Sequence, residues 1–294
     1  MTYTDTASEG SIRYIAGSKR TSKLPSTSFV IVVLAFSFLP ISRALAQSGT
    51  DRAWSTLQAG IAEKDTVRRA GAVRVLGLIE GDPKAAELAL NALKDEAPEV
   101  RASAIEALAD MKAKSAVPRI QEVTKTDKEV SVVMAGGRSL IALGDPLGYG
   151  VYYAILTGER KSGGALLDDQ KKMLKDPKKM AQFGFEQGIG FIPFAGVGLG
   201  AVKALTKDDT SPVMAAAARI LAKDPDPKSG QALVEASQDS RWLVRVAAVD
   251  SLARRGDPGA LGAIDPRLDD EKDIVRYTAA AAIIHLNGIL AKKK

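Results

Sequence analysis

The sequence predicts an all-α protein, a right-handed α-α superhelix of about six helix pairs carrying one inserted helical and Gly-rich segment. Three observations predict it. An apolar trio spaced by four residues recurs along the chain, a Gly-Asp-Pro turn recurs behind it, and aromatic residues are only 5% of a chain that is 46% hydrophobic. Ala, Leu and Val in such excess suit thin layers of packed helices, and 294 residues suffice for the core they would bury.

The first element is a leader. Phe29 to Leu39 is an uncharged apolar run preceded by Lys19, Arg20 and Lys23; Pro40 ends it, and Ala44-Leu45-Ala46 follows before Gln47. A basic flank, a short apolar core and a small-x-small exit are the order of a secretory signal. The run is shorter than the roughly 20 residues that span a bilayer. Cleavage is therefore expected after Ala46, with 1–46 outside the fold and the remainder periplasmic or secreted. Residues 1–46 hold five basic and two acidic residues, so the balance of 41 to 35 becomes 36 to 33 without them. Nothing in that balance suggests a nucleic-acid surface, which gathers basic residues on one face. With no cysteine, disulfides, thiolate metal sites and a Cys nucleophile are excluded.

The repeats come next, over 47–146 and again over 208–294. Val100, Ala104 and Leu108 lie four apart, as do Val213, Ala217 and Leu221, then Val244, Ala248 and Leu252, then Val275, Ala279 and Ile283. The last three trios keep one constant period, from Val213 to Val244 to Val275. Spacing by four places each trio on one face of a second helix, and its small middle residue lets a neighbouring helix approach. Ala72 and Leu76 form a weaker copy with Arg68 in the Val position; Ala135, Ser139 and Leu143 are read as another. First helices carry Trp54, Leu57 and Ile61; Leu88, Leu90 and Leu93; Val117, Ile120 and Val123; Leu233 and Val234. Gly81-Asp82-Pro83, Gly144-Asp145-Pro146 and Gly256-Asp257-Pro258 each close a second helix, and Asp224-Pro225 does so without the Gly. Gly supplies a left-handed helix end and Pro cannot continue the helix just finished.

Helix pairs at this period, a Val-Arg step and the Gly-Asp-Pro turn resemble HEAT repeats of the phycobilin-lyase-like subclass. A further point of resemblance is an acid six residues before the Arg: Asp95 and Arg101, Asp239 and Arg245, Asp270 and Arg276, and Glu63 with Arg69. The resemblance implies a ladder of bonds between neighbouring units; caps and exposed ion pairs are the plainer account. Either role is structural. One unit departs from the pattern, with Met214 where Arg is expected. The subclass name marks a repeat type, since export argues against pigment attachment in photosynthetic cells.

Between the third and fourth units the period fails. The segment 147–207 holds Phe183, Phe185, Phe191 and Phe194, and also Tyr149, Tyr152 and Tyr153. Tyr149 to Leu156 reads as a helix continuing the third unit, and Leu166 to Met180 as a lysine-bearing helix. For 183–205 three readings stand open: aromatics packed into the superhelix, an aromatic patch that binds a partner, or contact with a membrane surface. The uncharged run from Gln187 to Val202 is too short to cross a bilayer and contains Pro193, so spanning is not expected. Tyr152, Tyr153, Phe183, Phe185, Phe191 and Phe194 are the candidate partner-binding residues.

Chemistry finds little footing. Gly196 to Ala201 matches GxGxxA, but a dinucleotide site needs a strand before it and a βαβ setting. Deoxyhypusine hydroxylases resemble this architecture and hold two irons with repeated His-Glu pairs; this chain has one histidine, His285, followed by Leu286. Asp269, Asp270, Glu271 and Asp273 precede a helix, where acids suit its positive end. No catalytic, cofactor or metal residue is expected. The expected function is a non-catalytic scaffold for a protein partner. The alternatives are a lyase-like enzyme or subunit holding a ligand in the superhelix's concave face, and a peripheral membrane protein through 183–205.

Overall fold

A computed structural model describes residues 49–157 and 210–292, which fall within a single compact unit. Twelve α-helices follow one another, with no strand among the described residues. They are α1 (49–61), α2 (Thr66–Val75), α3 (Pro83–Ala92), α4 (Pro98–Asp110), α5 (Val117–Thr126), α6 (Val130–Ala142) and α7 (Leu147–Leu156). After 158–209, which lie outside the described residues, come α8 (Ser211–Leu221), α9 (Pro227–Ala236), α10 (Trp242–Arg255), α11 (Leu261–Ile264) and α12 (Asp273–Lys292). The all-α solenoid expected from the repeats is the fold observed.

Local chemistry sets the helix boundaries. Gly81, Gly144 and Gly256 have φ of 77°, 83° and 69°, the left-handed ends that a side chain would strain. The Asp after each accepts a backbone amide at the next helix start: Asp82 from Ala85, Asp145 from Leu147, Asp257 from Gly259. Asp224-Pro225 lacks the Gly, and there the Arg255 guanidinium donates to the Leu221 and Asp224 carbonyls instead.

Three of the four full trios pack as predicted, whereas in α8 Val213 and Ala217 are exposed and Ser211, Ala215 and Ala218 are buried instead. Val100, Ala104 and Leu108 are fully buried, and so are Val244, Ala248, Leu252, Val275, Ala279 and Ile283 to within 3%. Burying a leucine of this kind contributes roughly 2 kcal/mol. In the third unit the trio one full repeat after Val100, Ala104 and Leu108 is Val132, Gly136 and Leu140, all buried; Ala135 and Ser139, expected in those places, are buried as well, and Leu143 only partly. The cause is Thr124, buried on α5: a Cβ on Gly136 would sit 2.0 Å from its hydroxyl oxygen. Gly therefore replaces the small apolar residue and hides the register.

The stacking order differs from the chain order. Second helices pack side by side in the row α8, α10, α12, α2, α4, α6, so the C-terminal unit sits on the N-terminal one. At that seam Tyr277 of α12 is 4% exposed and lies against Gly60 of α1, where a Cβ would be 2.6 Å from its ring. Arg68 pairs with Asp273 at 3.1 Å, Arg52 with Asp269, and the Asn287 amide donates to Thr50 at 3.1 Å. The last unit thus joins the first, and units three and four stand at opposite ends of the row. Among the described residues α12 is the one helix long and apolar enough to cross a membrane, yet its inner flank is buried against α10 and α2.

At the ends of the row, large apolar side chains are exposed among the described residues. On α8, Val213 is 71% exposed, whereas its equivalents Val244 and Val275 are buried. On α7, Tyr149 and Leu156 stand out.

Candidate functional site

Two sets of charged side chains recur with the repeat. The first is the ladder. Arg69 donates through Nε and Nη2 to both carboxylate oxygens of Asp95, at 2.8 and 3.0 Å. Arg101 does the same to Asp127 (2.7 and 3.0 Å), and Arg245 to Asp270 (2.7 and 2.8 Å). In each case Nη1 turns back to the two carbonyls five and six residues earlier, such as Asp95 and Glu96 for Arg101. The acid six residues before an Arg therefore serves that Arg through its carbonyl and serves the preceding unit's Arg through its carboxylate. Burial alone would push the Asp95 and Asp270 carboxyls up. Hydrogen bonds from Arg69 and Arg245, together with backbone amides and positive charge, hold both below the usual carboxylate range.

The ladder stops where the repeat departs. Val133 stands where unit three would place its Arg, and Met214 stands there in unit four. Asp239, with no Arg from the unit before, is held by Arg241 through both oxygens, at 2.7 and 2.8 Å. That pair lowers its carboxyl to about 2. Arg276 donates to the Asp270 carbonyl and pairs with Asp273. Asp127 escaped sequence reading because no Arg follows it by six, although it lies one repeat after Asp95.

The second set lines the concave side. Two residues before the last member of each trio, the stacked row reads Arg219, Asp250, Ala281, Arg74, Glu106, Arg138. Arg74 bridges Glu106 (3.1 Å) and Asp110 (2.8 Å), Arg138 reaches Glu106 (2.8 Å), and Arg254 pairs with Asp250 (2.9 Å). Arg254 also approaches Asp110 at 3.9 Å, although α12 and α2 stand between their helices in the row. That contact requires the row to bend sharply inward.

Inside the bend is a cavity of about 540 Å³ lined by Glu80, Asp110, Lys112, Arg219, Lys223, Asp250, Arg254 and His285, with Ile220 and Leu78 among its apolar walls. Its charged groups come from both halves of the sequence. Burial would lower Arg74 and Arg254, but their carboxylate partners outweigh it and raise both. Arg219 is lowered, first by burial and then by the nearby charges of Arg254 and Arg74. His285 is lowered as well, by burial and by Lys292 and Arg254, which keeps it neutral near pH 7. Lys112 holds Glu80 at 3.0 Å from a left-handed backbone with φ of 56°. Among the described residues no three His, Cys, Asp or Glu gather in a metal-holding cluster.

The profile of the HEAT repeats matches residues 85–147 and 199–284, together just over half of the chain. The chain belongs to the HEAT-repeat family. Among solved structures it is similar to human deoxyhypusine hydroxylase in complex with glycerol, at 17% identity and a TM-score of 0.32, covering 85% of this chain and 99% of that one. An engineered protein is 15% identical (TM-score 0.26; 81% and 97% covered), and a designed armadillo repeat protein is 15% identical (0.23; 79% and 99%). No curated protein matches the chain.

Against this HEAT frame the candidate partner-binding aromatics divide. Phe183, Phe185, Phe191 and Phe194 lie outside the described residues. Tyr153 is 61% exposed on α7. Tyr152 is a packing residue: its ring lies over Gly137 of α6 and its hydroxyl donates to the Met134 carbonyl at 3.2 Å. The concave charge row was missed because its members differ in sign from unit to unit. It becomes readable once the trios are aligned and the column two residues before their last member is followed.

Proposed function

We propose that this HEAT-repeat chain is a non-catalytic scaffold that holds a protein partner in its concave face, of the phycobilin-lyase-like repeat subclass and exported after cleavage behind Ala46. The observation that carries the reading is the inward bend itself. It brings helices of both sequence halves around one cavity, so that a partner seated there would touch most of the row. The ladder favours the same reading, because it stiffens the stack from within while leaving the concave side chains to a partner. Export is supported by the order of residues 19–47.

A photo-crosslinking residue at Ile220, on the cavity wall, is expected to capture a protein in the exporting cell; the same residue at Glu87 on α3 is not. Equal capture from both positions, or from Glu87 alone, removes the concave-face reading. Export is tested separately by the N-terminus of the exported chain, expected at Gln47.

A second reading has one observation in its favour. Asp110, Asp250, Glu80 and His285 converge on the same cavity, whose volume lies in the range of small-ligand sites. A lyase-like enzyme or subunit would hold its ligand there. Replacing His285 with Asn and Asp250 with Asn would then abolish turnover while leaving partner capture at Ile220 unchanged.

A further inference from the structure

Among the described residues the cavity's charges are not balanced. Each acid is already engaged: Asp110 by Arg74 and Arg254, Asp250 by Arg254, Glu80 by Lys112. An arriving cation therefore meets no unspent carboxylate among the described residues. On the basic side Lys223, just beyond the C-terminus of α8, is exposed and has no ion pair among the described residues, and Arg219 of α8 lines the same cavity. The Arg219 guanidinium is lowered first by burial; the Asp250 carboxylate opposes that, and the charges of Arg254 and Arg74 add to it. Neutral His285 adds a donor without adding charge.

We propose that the concave cavity takes the carboxylate side chains of an acidic peptide segment, with Lys223 and Arg219 as its anchoring cations. This rests on the reading of the concave face as the partner-holding surface. A cavity of about 540 Å³ admits side chains and not a domain, so the partner inserts an extended stretch.

The test is fluorescence anisotropy of labelled hexaglutamate on the purified full chain. Binding is expected to weaken at least about tenfold in Lys223→Glu and in Arg219→Gln, to be unchanged in Lys94→Glu on the far side of the repeats, and to fall with salt. Lys223 is exposed, so its variant folds even if Arg219→Gln does not. Absence of binding at millimolar peptide, or an equal loss in Lys94→Glu, overturns the proposal. So does displacement by free glutamate or inorganic phosphate at the peptide's own concentration, which marks a small-anion site. Capture through Ile220 without hexaglutamate binding overturns this inference alone. Hexaglutamate binding without capture overturns the partner reading and leaves the acidic-segment preference standing.

Discussion

Arg245 and Asp270, in consecutive units, face each other through two parallel hydrogen bonds while the third guanidinium nitrogen donates to the Asp239 and Ser240 carbonyls. Their side chains are 7% and 4% exposed. Arg245→Met leaves a buried carboxylate without its partner and is expected to cost about 3–5 kcal/mol. Arg245→Lys should recover little of this, because an ammonium cannot satisfy two carboxylate oxygens and two carbonyls in one plane. Arg276→Met, at a side chain 31% exposed and with no following acid to bridge, should cost clearly less. Urea unfolding of the three variants ranks them; equal losses would show that the rung contributes nothing beyond an ordinary surface pair.

The rung acids, together with Asp239, are expected to set the acid limit of the fold. Asp239 titrates at about 2 instead of 3.8, and Asp95 and Asp270 are lowered too. A carboxyl lowered in the folded state binds its proton more readily when unfolded. Its stabilisation is therefore complete above the unfolded value and is lost as pH falls through the folded one. The urea midpoint should be level above about pH 5 and drop between about pH 4 and pH 2. Arg241→Ala removes the main cause of the Asp239 shift and should flatten the lower part of that drop. An unchanged profile in Arg241→Ala would place the acid sensitivity elsewhere.

How much of this was legible follows the range of each interaction. Gly81, Gly144 and Gly256 were readable because a left-handed helix end is decided within a few residues. The trio periodicity was readable wherever Val, Ala and Leu kept their places, and it misled at Gly136, where Thr124 demands a missing side chain. Six-residue spacing gave the acids and arginines of the ladder but not their pairing, since each Arg reaches an acid 25 or 26 residues ahead. The seam of Gly60 with Tyr277 was not readable at all. It joins the first helix to the last, and no local pattern marks a glycine as making room for a distant ring.

Lys112 occupies a left-handed position where other units place Gly, and its ion pair with Glu80 is largely exposed, at 72% and 47%. A left-handed non-Gly residue costs roughly 1–2 kcal/mol, and a pair so exposed returns at most about 1. Lys112→Gly is expected to raise stability by about 0.5 kcal/mol, while Lys112→Ala keeps the strain, loses the pair and lowers it. Thermal melts with the opposite order would mean that the Glu80 contact outweighs the backbone.

The stacking of the last unit on the first makes the most exacting prediction, because a solenoid following chain order would hold α12 and α2 far apart. With Arg68 and Asp273 at 3.1 Å and no native cysteine, the double variant Arg68→Cys, Asp273→Cys carries two thiols and no others. A short bismaleimide should join them within one chain, giving a single linked peptide pair by mass spectrometry at low protein concentration. The pairing of Arg68→Cys with Leu156→Cys, at the exposed end of α7, should give none. The interface itself is probed by Gly60→Val, whose side chain would enter the space of the Tyr277 ring and of Ala72. Overpacking a buried contact of this kind costs typically about 1–3 kcal/mol. Tyr277→Ala in the same chain opens that space, so the double variant should lose less than the sum of the two single losses. Strict additivity, together with no cross-link between positions 68 and 273, would separate the two halves of the row.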